Sequence, residues 1–127
     1  MEHNYWIVGA TWPGRNMYPN FIQNGCWELT ETGLNGRGIL DRFQQMAVGD
    51  RIALKSNNGR TRAEIKILAI GIITSINRAA RRVDVNWILV DLDRSVPLRG
   101  CLCCLNGPFA PIVGDEIDLW VHKAFLV

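Results

Sequence analysis

The run from Ile65 to Ile76 limits what this chain can become more than any other segment. It is almost continuously aliphatic and rich in β-branched isoleucine, which favours a long extended strand over a helix. Gly71 interrupts it and marks a bulge or a close backbone approach. A strand this apolar has to be buried, so the rest of the chain has to supply neighbours and cover for it.

The flanking patterns supply strands. Val48-Gly49-Asp50 reads as a turn into a strand at Arg51 to Lys55, and Ser56-Asn57-Asn58-Gly59-Arg60 reads as a polar loop. Beyond the long run, Asn77 to Arg82 is a basic connection. Val83 to Val90 then alternates, with Val83, Val85, Trp87 and Leu89 on one face and Asp84 and Asn86 on the other. Gly100 to Leu105 and Ile117 to Val127 read as the last strands, separated by the Gly107-Pro108 turn and by Gly114-Asp115.

The beginning of the chain reads differently. Tyr5 to Ala10 is a first strand running into a loop, and Asn20 to Cys26 is a short helix carrying Phe21 and Ile22 and stopped by Gly25. Glu31 to Gly38 is a loop. Ile39, Leu40, Phe43 and Met46 follow helical spacing, which predicts an amphipathic helix over Gly38 to Ala47. The order is one strand, two helices and at least five strands, an α+β arrangement that argues for a barrel-like sheet.

At 127 residues, 48% apolar and 20% charged, the chain is expected to form one globular domain over residues 1–127. No apolar run approaches the ~20 residues needed to span a bilayer, and Met1-Glu2-His3-Asn4 does not open a secretory leader. A cytoplasmic protein with no membrane partner is the expectation.

Cys101-Leu102-Cys103-Cys104 raises the question of metal. Adjacent cysteines in a strand point to opposite faces, and neither a paired knuckle nor a nearby histidine completes a tetrahedral site. Buried free thiols are expected, and no metal or cofactor.

The net charge is +2, but it is unevenly spread. Residues 51 to 104 hold ten basic groups against four acids, and eleven of the fourteen basic residues in the chain are arginine. Arginine grips phosphate oxygens in pairs and stacks on bases. The asymmetry points to a nucleic-acid partner or to a solvated basic loop, and charge alone does not choose between them.

Five tryptophans narrow the choice. Trp6, Trp87 and Trp120 lie in strand-like runs and read as packing, whereas Trp12, in Gly9-Ala10-Thr11-Trp12-Pro13-Gly14, and Trp27, in Asn24-Gly25-Cys26-Trp27-Glu28, sit beside loop and turn signals. Flat side chains in such places suit stacking on a base.

Catalysis has little support. His3 and His122 neighbour no serine or cysteine nucleophile, and Gly33-Leu34-Asn35-Gly36-Arg37-Gly38 lacks both GxGxxG spacing and a Walker lysine. Asp91 and Asp93 read as a solvated strand end. The expectation is a non-catalytic protein.

Five blocks in order carry a resemblance: Tyr5-Trp6-Ile7-Val8-Gly9-Ala10-Thr11-Trp12, Asn24-Gly25-Cys26-Trp27-Glu28, Val48-Gly49-Asp50-Arg51-Ile52-Ala53-Leu54-Lys55, Ala69-Ile70-Gly71-Ile72-Ile73-Thr74 and Val83-Asp84-Val85-Asn86-Trp87. Together, over residues 5 to 120, the chain resembles the EVE-like domains of the PUA superfamily, closest to those at the N-terminus of McrB-type AAA+ restriction proteins. The same order is similar to the YTH domains that read methylated adenine.

The resemblance implies a PUA-like (EVE/YTH-type) bent β-barrel of about six strands flanked by two or three helices, with an aromatic cage for a flipped, methylated base. Trp27 matches the cage tryptophan of the YTH pattern, Gly-x-Trp after a short helix, and Trp12 in the first loop supplies a second wall. Where that pattern carries a second tryptophan-bearing loop, this chain has only Asn77 to Arg82, so the resemblance provides no third wall. A stacked base contributes roughly 1 to 3 kcal/mol, and a buried methyl about 0.8 kcal/mol more.

For the polar edges of the base, the candidates are the backbone of Gly9, Ala10 and Thr11 and the side chains of Asn16, Asn20 and Asp115. Arg60, Arg62, Arg81, Arg82 and Arg99 are the candidates for phosphate. The function implied is a non-catalytic reader of modified double-stranded DNA in a modification-dependent restriction system, beside an AAA+ GTPase/nuclease partner or fused motor. An RNA-binding PUA-type module, or a regulatory module for a small ligand or protein, are the alternatives.

Overall fold

The computed structural model describes residues 3–12, 14–29, 38–56, 63–98, 101, 104–109, 120 and 124–125. The long aliphatic run forms the spine of a mixed sheet as β6 (Glu64–Asn77). One edge of β6 pairs with β5 (Arg51–Ser56), and the other is shared in succession by β8 (Arg94–Pro97) and β7 (Arg82–Leu89). β5 pairs in parallel with β1 (Tyr5–Gly9), β1 pairs with β9 (Leu105–Phe109), and β7 pairs with β4 (Cys26–Glu28). β2 (Thr11–Trp12) and β3 (Arg15–Asn16) form a separate two-stranded ribbon.

Both faces of the central strands are covered, which is why they read as continuous apolar runs. Trp6 and Val8 of β1 and Ile52 and Leu54 of β5 face one core, with Phe21, Trp27, Phe43 and Met46. Ile7 and Ala53, pointing the other way, join a second core with Ile65, Ile67, Val96, Trp120 and Phe125.

Register shifts along β6 bend the sheet. Leu68 is an extra residue opposite the Leu54–Lys55 step, so Ile67 belongs to the second core while Ala69, two residues on, belongs to the first. The β6–β7 register shifts beside Gly71 and again between Ile73 and Ser75. A Cβ at Gly71 would stand 2.5 Å from Val85 Cγ1 and 2.6 Å from the Asn86 carbonyl oxygen, the close approach expected of that glycine.

Two helices pack beside the sheet. α1 (Tyr18–Asn24) ends at Gly25, whose φ of 60° and ψ of 47° form the left-handed C-cap that only glycine adopts freely. α2 (Ile39–Gln45) buries Ile39 and Phe43, with Met46 buried at its end.

Several expectations are corrected. The sheet path runs from β4 to β9, and among the described residues these two ends do not pair. Among the described residues the main sheet has seven strands, beside the two of the ribbon, where about six were expected. Gly107-Pro108 is not a turn between strands but lies inside β9, an edge strand, where proline's missing N–H is tolerated. Trp120, Ala124 and Phe125 are helical, so the final apolar run is not extended at these positions. Leu40 and Leu89 face solvent. Cys26 is a buried free thiol, Cys101 is buried and Cys104 half-buried, while Cys103 lies outside the described residues. Among the described residues, no helix is long and apolar enough to cross a membrane.

Candidate functional site

The first loop is organised as the β2–β3 ribbon, and its two faces do different things. Thr11 pairs with Asn16 and Trp12 with Arg15. Cross-strand partners share a face and neighbours along a strand oppose one another. Thr11 and Asn16 therefore stand on one side, and Trp12 and Arg15 on the other.

The Thr11 and Asn16 side lines a cleft of about 420 Å³ together with Ala10, Ser56, Lys66 and Leu68, within the size range of ligand sites. Ser56 ends β5 and pairs with Lys66 at the start of β6. Leu68, two residues beyond Lys66, is the bulged residue, so the irregularity that flips the faces of β6 lies in the cleft wall. Strand bulges serve to re-aim side chains at such sites.

The cleft offers polar side chains from four strands. Asn16 accepts the Tyr18 N–H, 3.1 Å away at the start of α1, with its Oδ1, which leaves its amide N–H groups and a second oxygen lone pair to offer a ligand. Thr11 and Ser56 bring hydroxyls and Lys66 an ammonium, 3.1 Å from Asp93. Beside Leu68, the Tyr18 hydroxyl donates to Asp91 Oδ1 at 3.0 Å and accepts the Asp91 N–H at 2.6 Å. Burial raises the Tyr18 phenol above its ordinary value of 10.0.

Of the base-binding residues expected, Ala10, Thr11 and Asn16 come together in this cleft. The tryptophans do not join them. Trp27 is 1% exposed, its ring in the first core and its indole N–H donating to the Gly9 carbonyl at 3.0 Å. Trp12 is half-buried and meets Phe21 edge-on, with centroids 6.1 Å apart. The two indoles form no open cage, because β4 carries Trp27 into the sheet and strand alternation turns Trp12 away from Thr11.

The backbone of Gly9 and Ala10 is already engaged within the fold. The Gly9 N–H donates to Cys104 O, and the Ala10 N–H donates to Lys55 O. The Ala10 carbonyl accepts the Met17 N–H, and the Gly9 carbonyl accepts Trp27 Nε1. These groups hold the ribbon in place. Asn20 lies within α1 and not among the cleft-lining residues.

The arginines divide in the same way. Arg82 binds Asp84 at 3.2 Å and approaches Glu28 at 4.0 Å, and Arg81 holds a turn in which its carbonyl accepts the Leu29 N–H. Both lie by the Asn77 end of β6, roughly 36 Å along the strand from Lys66 at ~3.3 Å per residue, so they are not on the cleft's rim. Arg78 donates to the Phe43 and Met46 carbonyls at 2.6 and 2.8 Å and caps α2. Part of the basic surplus is thus structural. Arg60, Arg62, Arg99 and Asp115 lie outside the described residues, although the segment bearing Arg60 and Arg62 follows Ser56 directly in sequence.

Lys66, Ser56 and Leu68 are cleft residues that sequence reasoning missed. The one available signal was a lysine inside an otherwise aliphatic strand.

No protein-family model matches the chain, and no curated protein matches its sequence. Among solved structures, a hypothetical protein from Leishmania major is similar over 78% of this chain and 73% of that one, at 12% identity and a TM-score of 0.47. The YTH domain of the Zygosaccharomyces rouxii MRB1 protein, in complex with N6-methyladenosine RNA, is similar over 77% of this chain and 63% of that one. Its sequence identity is 16% and its TM-score 0.40.

Proposed function

We propose that the chain is a non-catalytic nucleic-acid-binding module that receives a nucleotide of a modified strand in the Thr11–Asn16–Lys66 cleft. The observation that carries this reading is the meeting of three first-loop residues, Ala10, Thr11 and Asn16, with a lysine in one cleft of about 420 Å³. Two hydroxyls, an amide and an ammonium suit the acceptor-rich edge of a base and its phosphate.

The finer parts of the reading rest on the sequence resemblance. They are that the strand is double-stranded DNA, that the base is methylated and flipped out of its stack, and that the module serves a modification-dependent restriction system with an AAA+ partner. With Trp27 in the core, the base is read by the cleft's polar side chains, and Trp27 supports the Gly9 carbonyl behind them.

The test is fluorescence polarisation on matched duplexes that are unmodified or carry 6-methyladenine, 5-methylcytosine or 5-hydroxymethylcytosine, and on RNA of the same sequence, each at two salt concentrations. Binding that prefers one modification, weakens with salt and is reduced by Thr11→Val is the expected result. Preference for RNA would move the assignment to an RNA-binding module, since only RNA offers the 2′-hydroxyl. No binding to any oligonucleotide would overturn the reading.

A further inference from the structure

We propose that Lys66 is the phosphate-binding residue of the cleft and that Asp93 is its resident counter-ion, displaced when a nucleic-acid phosphate enters. The inference rests on the cleft being a nucleic-acid site. Lys66 Nζ stands 3.1 Å from Asp93 Oδ1, with 30% of the Lys66 side chain and 80% of the Asp93 side chain open to solvent. That asymmetry sets which partner leaves: Asp93 can swing into water, while Lys66 stays against the cleft wall it helps to form.

The placement of Asp93 is built in. Its turn is pinned on two sides, by the Tyr18 hydroxyl accepting the Asp91 N–H and by the Leu92 N–H donating to the Leu68 carbonyl at 2.8 Å. Asp91 takes a φ of 55°, the left-handed conformation that turns the chain there. The residue after Leu92 is thereby delivered to the lysine two positions before Leu68.

An ion pair this exposed is weak, whereas a phosphate offers an ammonium charge-assisted hydrogen bonds at higher charge. The exchange is easy for a strand that brings further contacts with it and unrewarding for a lone small anion. Asp93 in this role lowers affinity for simple anions and leaves the cleft selective for a polyanion.

The experiment measures a fluorescein-labelled duplex by polarisation across a salt series, and inorganic phosphate by NMR at the Lys66 side chain. It uses the wild type, Asp93→Asn, Lys66→Gln and the double variant. Asp93→Asn is expected to tighten duplex binding by about two- to five-fold, the range an exposed pair spans. Lys66→Gln is expected to weaken binding and lower the salt slope by about one. In the Lys66→Gln background, Asp93→Asn is expected to change nothing.

If Asp93→Asn tightens binding equally with and without Lys66, the effect is general charge and the pair is not the device. If Lys66→Gln leaves affinity and slope unchanged while Thr11→Val weakens binding, the cleft still reads nucleic acid and this inference alone falls. Phosphate acting at Lys66 with no duplex bound would retain the phosphate site and remove the nucleic-acid reading. No effect of either probe would remove both.

Discussion

The indole N–H of Trp27 donates to the carbonyl of Gly9 at 3.0 Å, tying the middle of β4 to the last residue of β1. Gly9 is the residue from which the chain passes through Ala10 into the ribbon, so a core side chain sets the position of a cleft wall. Replacing Trp27 with alanine removes a fully buried ring and is expected to cost about 3 to 5 kcal/mol. Trp27→Phe keeps most of the ring and leaves the Gly9 carbonyl one donor short, for about 1 to 3 kcal/mol. Urea unfolding of the two variants measures both losses. An alanine variant within 1 kcal/mol of wild type would show that Trp27 stands at the surface after all.

What could be read from the sequence depended on whether the signal was local. Gly25 ends α1 through its own backbone freedom, and the isoleucine-rich run declares β6 by composition, so both were legible. β4 was not, because its three residues become a strand only by pairing Cys26, Trp27 and Glu28 with Asp84, Val83 and Arg82, far along the chain. The adjacent Gly25 made Trp27 look like a turn residue. β8 escaped for a similar reason: it is four residues long, ends in Pro97, and depends on β6 for its hydrogen bonds. The cleft was half legible, since Ala10, Thr11 and Asn16 fall in the first loop, whereas Lys66 and Leu68 reach it only through a bulge that no periodicity announces.

Gly71 leaves no room for a side chain, because the position of a Cβ is already filled by Val85 and by the Asn86 carbonyl oxygen. Backbone cannot retreat as a flexible side chain would. Gly71→Ala is expected to destabilise the protein by about 3 kcal/mol, at the upper end of overpacking costs. The measurement is the urea midpoint at unchanged slope. A variant as stable as wild type would mean that β6 and β7 do not approach so closely.

Asn16 has two roles that one pair of substitutions separates. Its Oδ1 accepts the Tyr18 N–H in an exposed local turn, and its amide N–H groups are available to the cleft. Asn16→Asp preserves that acceptor, while Asn16→Ala removes the hydrogen bond at about 1 kcal/mol. Asn16→Asp also replaces the donors with a negative charge. The aspartate variant is therefore expected to melt with the wild type and bind oligonucleotides several-fold more weakly, and the alanine variant to lose stability as well. Equal binding by Asn16→Asp and wild type would remove Asn16 from the site.

Asp84 gives the fold an acid-side pH dependence whose sign follows from its partners. The Ser75 hydroxyl, 2.5 Å away, holds the carboxyl below its ordinary value of 3.8, and Arg82 at 3.2 Å adds to the effect. A carboxylate with a lowered folded-state value binds its proton more weakly in the folded than in the unfolded chain. The stability it contributes is present above 3.8 and is lost as the pH falls through the lowered folded value. Asp84→Asn should therefore melt below the wild type at neutral pH, and the gap should close as the solution is taken through the carboxylate range into acid. Because the group is half exposed, added salt should narrow the gap at neutral pH too. Thermal melts of both proteins across pH at two salt concentrations measure this. A gap that stays constant with pH would mean that the Asp84 carboxyl has the same affinity for its proton in the folded and unfolded chain.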